Sequence, residues 1–127
     1  MYTTQDTEHQ CPLQDSKTLL KIQDALECLQ GKWKLPIIAA LLTGPKRFKE
    51  LSVALHTITD RMLSKELKTM ESQLLVNKLK KSRFSIEMEY GLTDHGKSLQ
   101  PLIENLIDWG DQHRDLVIDK WREESTV

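Results

Sequence analysis

Glycine is scarce in this chain, five residues in 127, and that scarcity alone removes several kinds of chemistry. No GxGxxG, GxxxxGK[ST] or GxSxG occurs, so there is neither a phosphate-cradling loop nor a nucleophile elbow. The four histidines, His9, His56, His95 and His113, make no HExxH and no i, i+4 pair. Two cysteines, Cys11 and Cys28, make neither a CxxC pair nor a disulfide framework, and a reducing compartment suits them. His9 and Cys11 alone resemble a ligand pair, whereas a closed zinc site wants four ligands. No metal, no cofactor and no catalytic residue is therefore expected, and neither cysteine has a base or oxyanion donor nearby to make a thiol enzyme. Long apolar runs are absent too, and MYTTQDTEHQ has neither the basic nor the apolar region of a signal peptide. The expectation is a cytoplasmic protein without a membrane partner.

What remains is a helix-rich composition, 39% hydrophobic and 29% charged, in a length that suits one domain with a modest core. The net charge of −1 conceals a split along the chain. Residues 44–84 hold ten Lys and Arg against four Asp and Glu, a balance of +6, while the rest hold eight against fifteen, or −7. A basic working region on an acidic scaffold is the footprint of a nucleic-acid binder.

Periodicity supplies the elements. In residues 17–30, Leu19, Ile22, Leu26 and Leu29 share a helical face, and Gly31 ends the helix. Pro36 suits the first turn of a second, almost wholly apolar helix that Gly44 and Pro45 stop. KRFKELSVAL reads as a short third helix, and Thr59 is a candidate N-cap for the next. There Leu63, Leu67, Met70 and Leu74 form a core stripe, with Arg61, Lys65 and Lys68 at roughly 140° to 200° from Leu63 on the opposite face. The chain then changes period. Ile86, Met88, Tyr90 and Leu92 alternate as a half-buried strand, LLVNKL is its partner, and the link KKSRFS makes a basic hairpin tip. A last long helix is expected from about Asp94, capped by Thr93, to Trp121, with more apolar surface than one small domain needs.

Three helices, a tight turn between the second and third of them, and a basic hairpin define a mainly α fold with a small β-hairpin, an α+β winged helix-turn-helix. A charged outer face is the default for any surface helix; the flanking elements favour recognition here. Such a helix fits the major groove, about 12 Å wide, where Arg can donate twice to guanine and Ser or Thr can meet several base edges. Arg61, Ser64 and Lys65 are the candidate base readers, with Thr59 at the helix start. Lys68, and Arg47 and Lys49 on the preceding helix, suit phosphates. Lys81 or Arg83 on the hairpin could enter the minor groove. Cys28 reads as a buried small apolar residue, and Trp33 and Trp109 as packing residues, Trp109 at a dimer seam. A winged-helix protein-interaction module that does not read DNA is the competing function.

Six motifs in order carry a family resemblance over about residues 11 to 115: Cys11-Pro12, GKWK at 31–34, LLTGPKRFKEL at 41–51, ITDRMLSKEL at 58–67, EYGLTDHG at 89–96 and LIDWGD at 106–111. The chain resembles the HxlR-type winged-helix transcriptional regulators of bacteria. Gln30 stands where that family commonly has a second glycine, and SRFSIEMEY lacks the proline pair often found before the second wing strand. The resemblance implies a domain over residues 11–121 between flexible tails 1–10 and 122–127, with a recognition helix at 59–72 and a wing at 76–92. It also implies a homodimer through the first and last helices, with Leu19, Ile22, Trp109 and Leu116 as interface residues, bound to pseudo-palindromic double-stranded operator DNA. A redox, electrophile or metabolite signal, an unknown small-molecule effector, would control it, and Cys11 is the candidate redox-sensing thiol.

Overall fold

The computed structural model describes residues 15–80, 82–84 and 86–125. Helices α1 (Ser16–Leu29) and α2 (Lys34–Leu42) lead through strand β1 (Lys46–Arg47) into α3 (Phe48–Leu55) and α4 (Asp60–Ser72). Strands β2 (Val76–Lys80) and β3 (Met88–Leu92) follow, then α5 (Asp94–Lys97) and α6 (Gln100–Ser125). Among these residues no helix is long and apolar enough to cross a membrane.

The apolar stripes converge on α2, as its unbroken hydrophobicity predicts. Ile37, Ile38 and Leu41 are buried against Leu51 of α3, Leu63, Leu67 and Met70 of α4, and Leu75, Val76 and Leu92 of the sheet region. Burying each such side chain fully stabilises the fold by about 1.5–3 kcal/mol, before the entropy of ordering it is counted. Trp33 packs at the edge of this core. Lys34, only 9% exposed, is the buried cation, and its Nζ donates to the Glu27 carbonyl. The Gln73 amide Nε2 donates to the same oxygen at 3.3 Å. Two donors thus satisfy an orphan carbonyl at the end of α1, where the helix dipole also favours a cation.

Both ends of α4 are determined locally. The Thr59 hydroxyl accepts a hydrogen bond from the Met62 N–H at 3.1 Å, the expected N-cap. At the other end the Leu75 N–H donates to the Met70 carbonyl and the Leu74 N–H to that of Glu71, each at 3.0 Å, a Schellman arrangement. It requires a left-handed residue after the cap, and that residue is Leu74, at φ +65°. Leu74 accordingly leaves the helical stripe in which its spacing put it: it is 69% exposed, and Leu75 takes its place in the core.

Four further expectations are corrected. Lys46 and Arg47 are not helical; they pair antiparallel with Tyr90 and Glu89 as an edge strand, giving the order β1-β3-β2. After Gly44 and Pro45 the chain is extended, and pairing along β3 satisfies backbone groups that a helix start would leave open. Ile86 lies outside the ladder, which ends at the pair Lys80 and Met88, so it has no strand partner and is exposed. The last helix is broken at residues 98–99, between α5 and α6. Pro101 has no N–H to give the Lys97 carbonyl and its ring crowds that carbonyl, so one continuous helix is excluded, whereas in the first turn of a new helix the missing N–H costs nothing. At the far end α6 continues through residues 122–125, which a C-terminal tail was expected to occupy, and the Arg122 charge sits in its last turn.

Gly96 of α5 explains part of EYGLTDHG. A Cβ there would strike the backbone carbonyl of Leu75, so only glycine allows α5 to close onto the start of β2. Thr93 completes the junction: its N–H donates to the Leu75 carbonyl at 3.0 Å and its hydroxyl to that of Leu74 at 2.6 Å.

A leucine in the left-handed region costs about 1–2 kcal/mol, and glycine returns part of that gain through its looser unfolded chain. Leu74→Gly should therefore stabilise the protein by about 0.5–1 kcal/mol in urea unfolding; a lower midpoint would mean that Leu74 packs more than its exposure indicates.

Candidate DNA-recognition surface

With Leu63, Leu67 and Met70 held in the core, the opposite side of α4 must face solvent. Arg61, Lys65 and Lys68 are exposed there, and Ser64 is half-buried at the margin. Thr59 sits at the helix start, exposed, with its hydroxyl oxygen accepting the capping bond. Asp60 in the first turn suits the helix dipole, and its Oδ1 accepts a hydrogen bond from the Ser52 hydroxyl at 3.1 Å, tying α4 to α3.

The turn between these helices is unusually tight. His56 has φ +56° and ψ −65°, and the Thr57 N–H donates to the Leu55 carbonyl across it at 2.6 Å. This is close to a γ-turn of the rare, strained kind, and Ile58 just after it is buried, which anchors the turn.

Lys49 is exposed on α3, as expected. Arg47 differs from expectation in more than its secondary structure. Its Nε lies 3.4 Å from Glu50 Oε1 and its Nη1 donates to Glu87 Oε1 at 3.2 Å, so two carboxylates already hold it. The Glu87 charge, then Glu50, raises the Arg47 pKa above its ordinary value. Glu50 accepts the Arg47 backbone N–H at 2.8 Å, and that bond chiefly, with the guanidinium helping, holds its carboxyl below the usual carboxylate range. The sign follows: this contribution is complete above the ordinary Glu pKa and is lost as pH falls through the lower folded value, so the cluster is intact near neutrality. Neither Glu87 nor Glu50 is among the site residues that the sequence suggests. The Arg47–Glu50 spacing matches the N-cap to N3 separation of a capping box and could have revealed one of them; Glu87 is forty residues away from Arg47 and carries no such signal.

In the wing, Lys80 and Arg83 are exposed and Lys78 lies over the Tyr90 ring at 5.9 Å. Lys81 and Cys11 lie outside the described residues. Cys28, half-buried near the end of α1, is a free thiol. Among the described residues, no three His, Cys, Asp or Glu side chains gather in a way that could hold a metal ion.

Away from this basic surface the two outer helices are under-covered. α6 has no buried residue over its 26, and only Ile103 within it, with Leu99 just before, packs on the core. Leu102, Leu106, Ile107 and Leu116 are exposed, and Trp109, 64% exposed, stacks on the His113 ring at a centroid distance of 4.9 Å. Trp109 is therefore not a core-packing residue of its own chain. On α1, Leu19, Leu20, Ile22 and Leu26 are exposed, and Leu29 alone is buried.

Two helices joined across a tight turn, the second with a basic outer face and followed by the wing of a three-stranded sheet, define the winged helix-turn-helix class of DNA-binding regulators. Comparison with known proteins narrows the class. Residues 28–117 match the model of the HxlR-like helix-turn-helix family, and the chain belongs to that family. It is 31% identical over 101 residues to the uncharacterized HTH-type transcriptional regulator YtcD of Bacillus subtilis, covering 80% of each chain. The reduced form of the transcriptional regulator YodB from B. subtilis superposes with a TM-score of 0.69 at 33% identity, over 72% of this chain and 90% of that one. The redox regulator HypR in its reduced form gives 0.68 at 30% identity, over 76% and 96%. The protein is a DNA-binding transcriptional regulator of this family.

Proposed function

We propose that the protein works as a homodimer on an inverted-repeat operator, without enzymatic activity, and that a small-molecule or redox signal controls its affinity for DNA. The observation that carries the reading is the division of α4 into a fully buried Leu63, Leu67 and Met70 face and an exposed Arg61, Lys65 and Lys68 face. Arg61, Ser64 and Lys65, in the first turns, read base edges in the major groove, and Thr59 and Lys68 flank them. Lys49 contacts phosphate. Arg47, shared with two carboxylates, braces the wing against α3 and is the weaker phosphate contact. Lys81 and Arg83 approach the minor groove from the wing.

The exposed apolar faces of α1 and α6 support the dimer, with Leu19, Ile22, Trp109 and Leu116 in the seam. A patch of this kind on a monomer would be an association site by default, and a two-fold pair of subunits would match two half-sites about one helical turn apart. Cys11 is the proposed sensing thiol. A quinone-bound form and a diamide-treated form of YodB have been solved, so that relative meets electrophiles and oxidants of the kind proposed here.

If each subunit neutralises about three or four phosphates, log affinity for random-sequence duplex should fall against log salt with a slope of about −5 to −7. Lys68→Ala, removing two contacts per dimer, should shrink that slope by about 2 and weaken all sequences alike. A nearly flat slope for the wild type would contradict phosphate binding.

Diamide added to the reduced, DNA-bound protein should release or tighten the complex in wild type and leave Cys11→Ser unchanged. An equal response in both, or none in wild type, would remove Cys11 from the sensing role.

A further inference from the structure

The wing tip carries two large apolar side chains that the fold leaves in water. Phe84 is 92% exposed and Ile86 is 96% exposed. The turn beyond the last ladder pair, Lys80 and Met88, would need neither of them to close. Polar residues are the usual choice at a hairpin tip, since they solvate and resist aggregation.

The chemistry around them selects the occupant. From Val76 to Phe84 the chain carries Lys78, Lys80, Lys81 and Arg83 and no acidic residue, while on the returning side Glu87 and Glu89 follow Ile86 and Glu87 is paired with Arg47, so the positive charge lies along the outgoing strand. An apolar tip beside a basic strand complements a surface lined with phosphate. The wing is also continuous with the basic helix: β2 starts directly after the Schellman turn that closes α4. The base of the tip is braced, because Glu87 holds Arg47 on the opposite side of the sheet at 3.2 Å.

We infer that Phe84, with Ile86 beside it, is a wedge that the wing inserts between base pairs in the minor groove, kinking the operator. The inference rests on the DNA-binding function and adds to it a residue that sets specificity through deformation. Phe and Ile are among the side chains that act as minor-groove wedges, and a Phe ring can stack on any exposed base. The lysines and Arg83 bring the tip to the groove; the ring then replaces one base-stacking contact with its own. Pyrimidine–purine steps such as TA and CA/TG unstack most readily, so one should lie under each wing.

The test uses the full-length protein and a duplex enriched by it from a random pool, labelled at both ends for energy transfer. Wild-type protein should shorten the end-to-end distance. Phe84→Ala should bind about a hundredfold more weakly, since the dimer loses two base-stacking contacts of about tenfold each, and leave the duplex nearly straight with the salt slope unchanged. Phe84→Leu, which keeps an apolar wedge, should fall between. Equal thermal melting of the three proteins would show that the exposed tip does not affect folding. Unchanged affinity and bending in Phe84→Ala would overturn the wedge and assign Phe84 to a contact with another protein. A weaker complex with a reduced salt slope would overturn it as well, because the loss would then be electrostatic. Failure of wild type to enrich any duplex would instead strike at the DNA-binding reading itself, and the wedge would fall with it.

Discussion

The burial of Leu63, Leu67 and Met70 against α2 is the constraint on which the rest depends. Three apolar residues on one face leave α4 a single rotational setting, because turning the helix would put charge into the core and leucine into water. Arg61, Lys65 and Lys68 are presented outward as a consequence, and among the described residues no ion pair holds them there. The caps then fix where the helix starts and stops: Thr59 at one end, the Schellman turn at Leu74 at the other. From that turn the chain enters β2, so the position of the wing follows from the position of the recognition helix.

The same helix end reaches the outer layer of the molecule. Gln73, the C-cap of α4, and Lys34, at the start of α2, both donate to the Glu27 carbonyl near the end of α1. Glu27 adjoins Cys28. A displacement of α1, the helix proposed to lie in the dimer seam, would therefore be felt at the end of the recognition helix through the Gln73 hydrogen bond and at the start of α2 through the buried Lys34. This offers a short physical route between subunit geometry and DNA affinity, whatever signal moves α1. Its components are a packed cation and a helix terminus, both costly to leave unpaired.

Much of this was legible in the sequence because it rests on local rules. The 3.6 period of residues 63–70, the Thr59 cap, the change to period 2 at Met88–Leu92 and the charge split all concern neighbouring residues. The sequence misleads where pairing across the chain decides, and where a local break competes with a strong apolar spacing. Lys46 and Arg47 look helical beside Phe48, and only the open edge of β3 draws them into a strand. Leu74 fits the apolar stripe by spacing, but the turn that closes α4 needs a left-handed residue at that position. Pro101 marks the break in the last helix, although Leu99, Leu102, Ile103 and Leu106 keep a helical spacing across it. The hold of Glu87 on Arg47 joins residues far apart in the chain, so no periodicity could announce it.

The most direct test of a dimeric reader of DNA sequence is selection from a random duplex pool by purified, reduced protein at near-physiological salt, beside the Arg61→Ala/Lys65→Ala double variant. The account predicts convergence on an inverted repeat with half-sites about one helical turn apart, and loss of that consensus in the variant. Enrichment of a single unrepeated site, or the same consensus with both proteins, would contradict it.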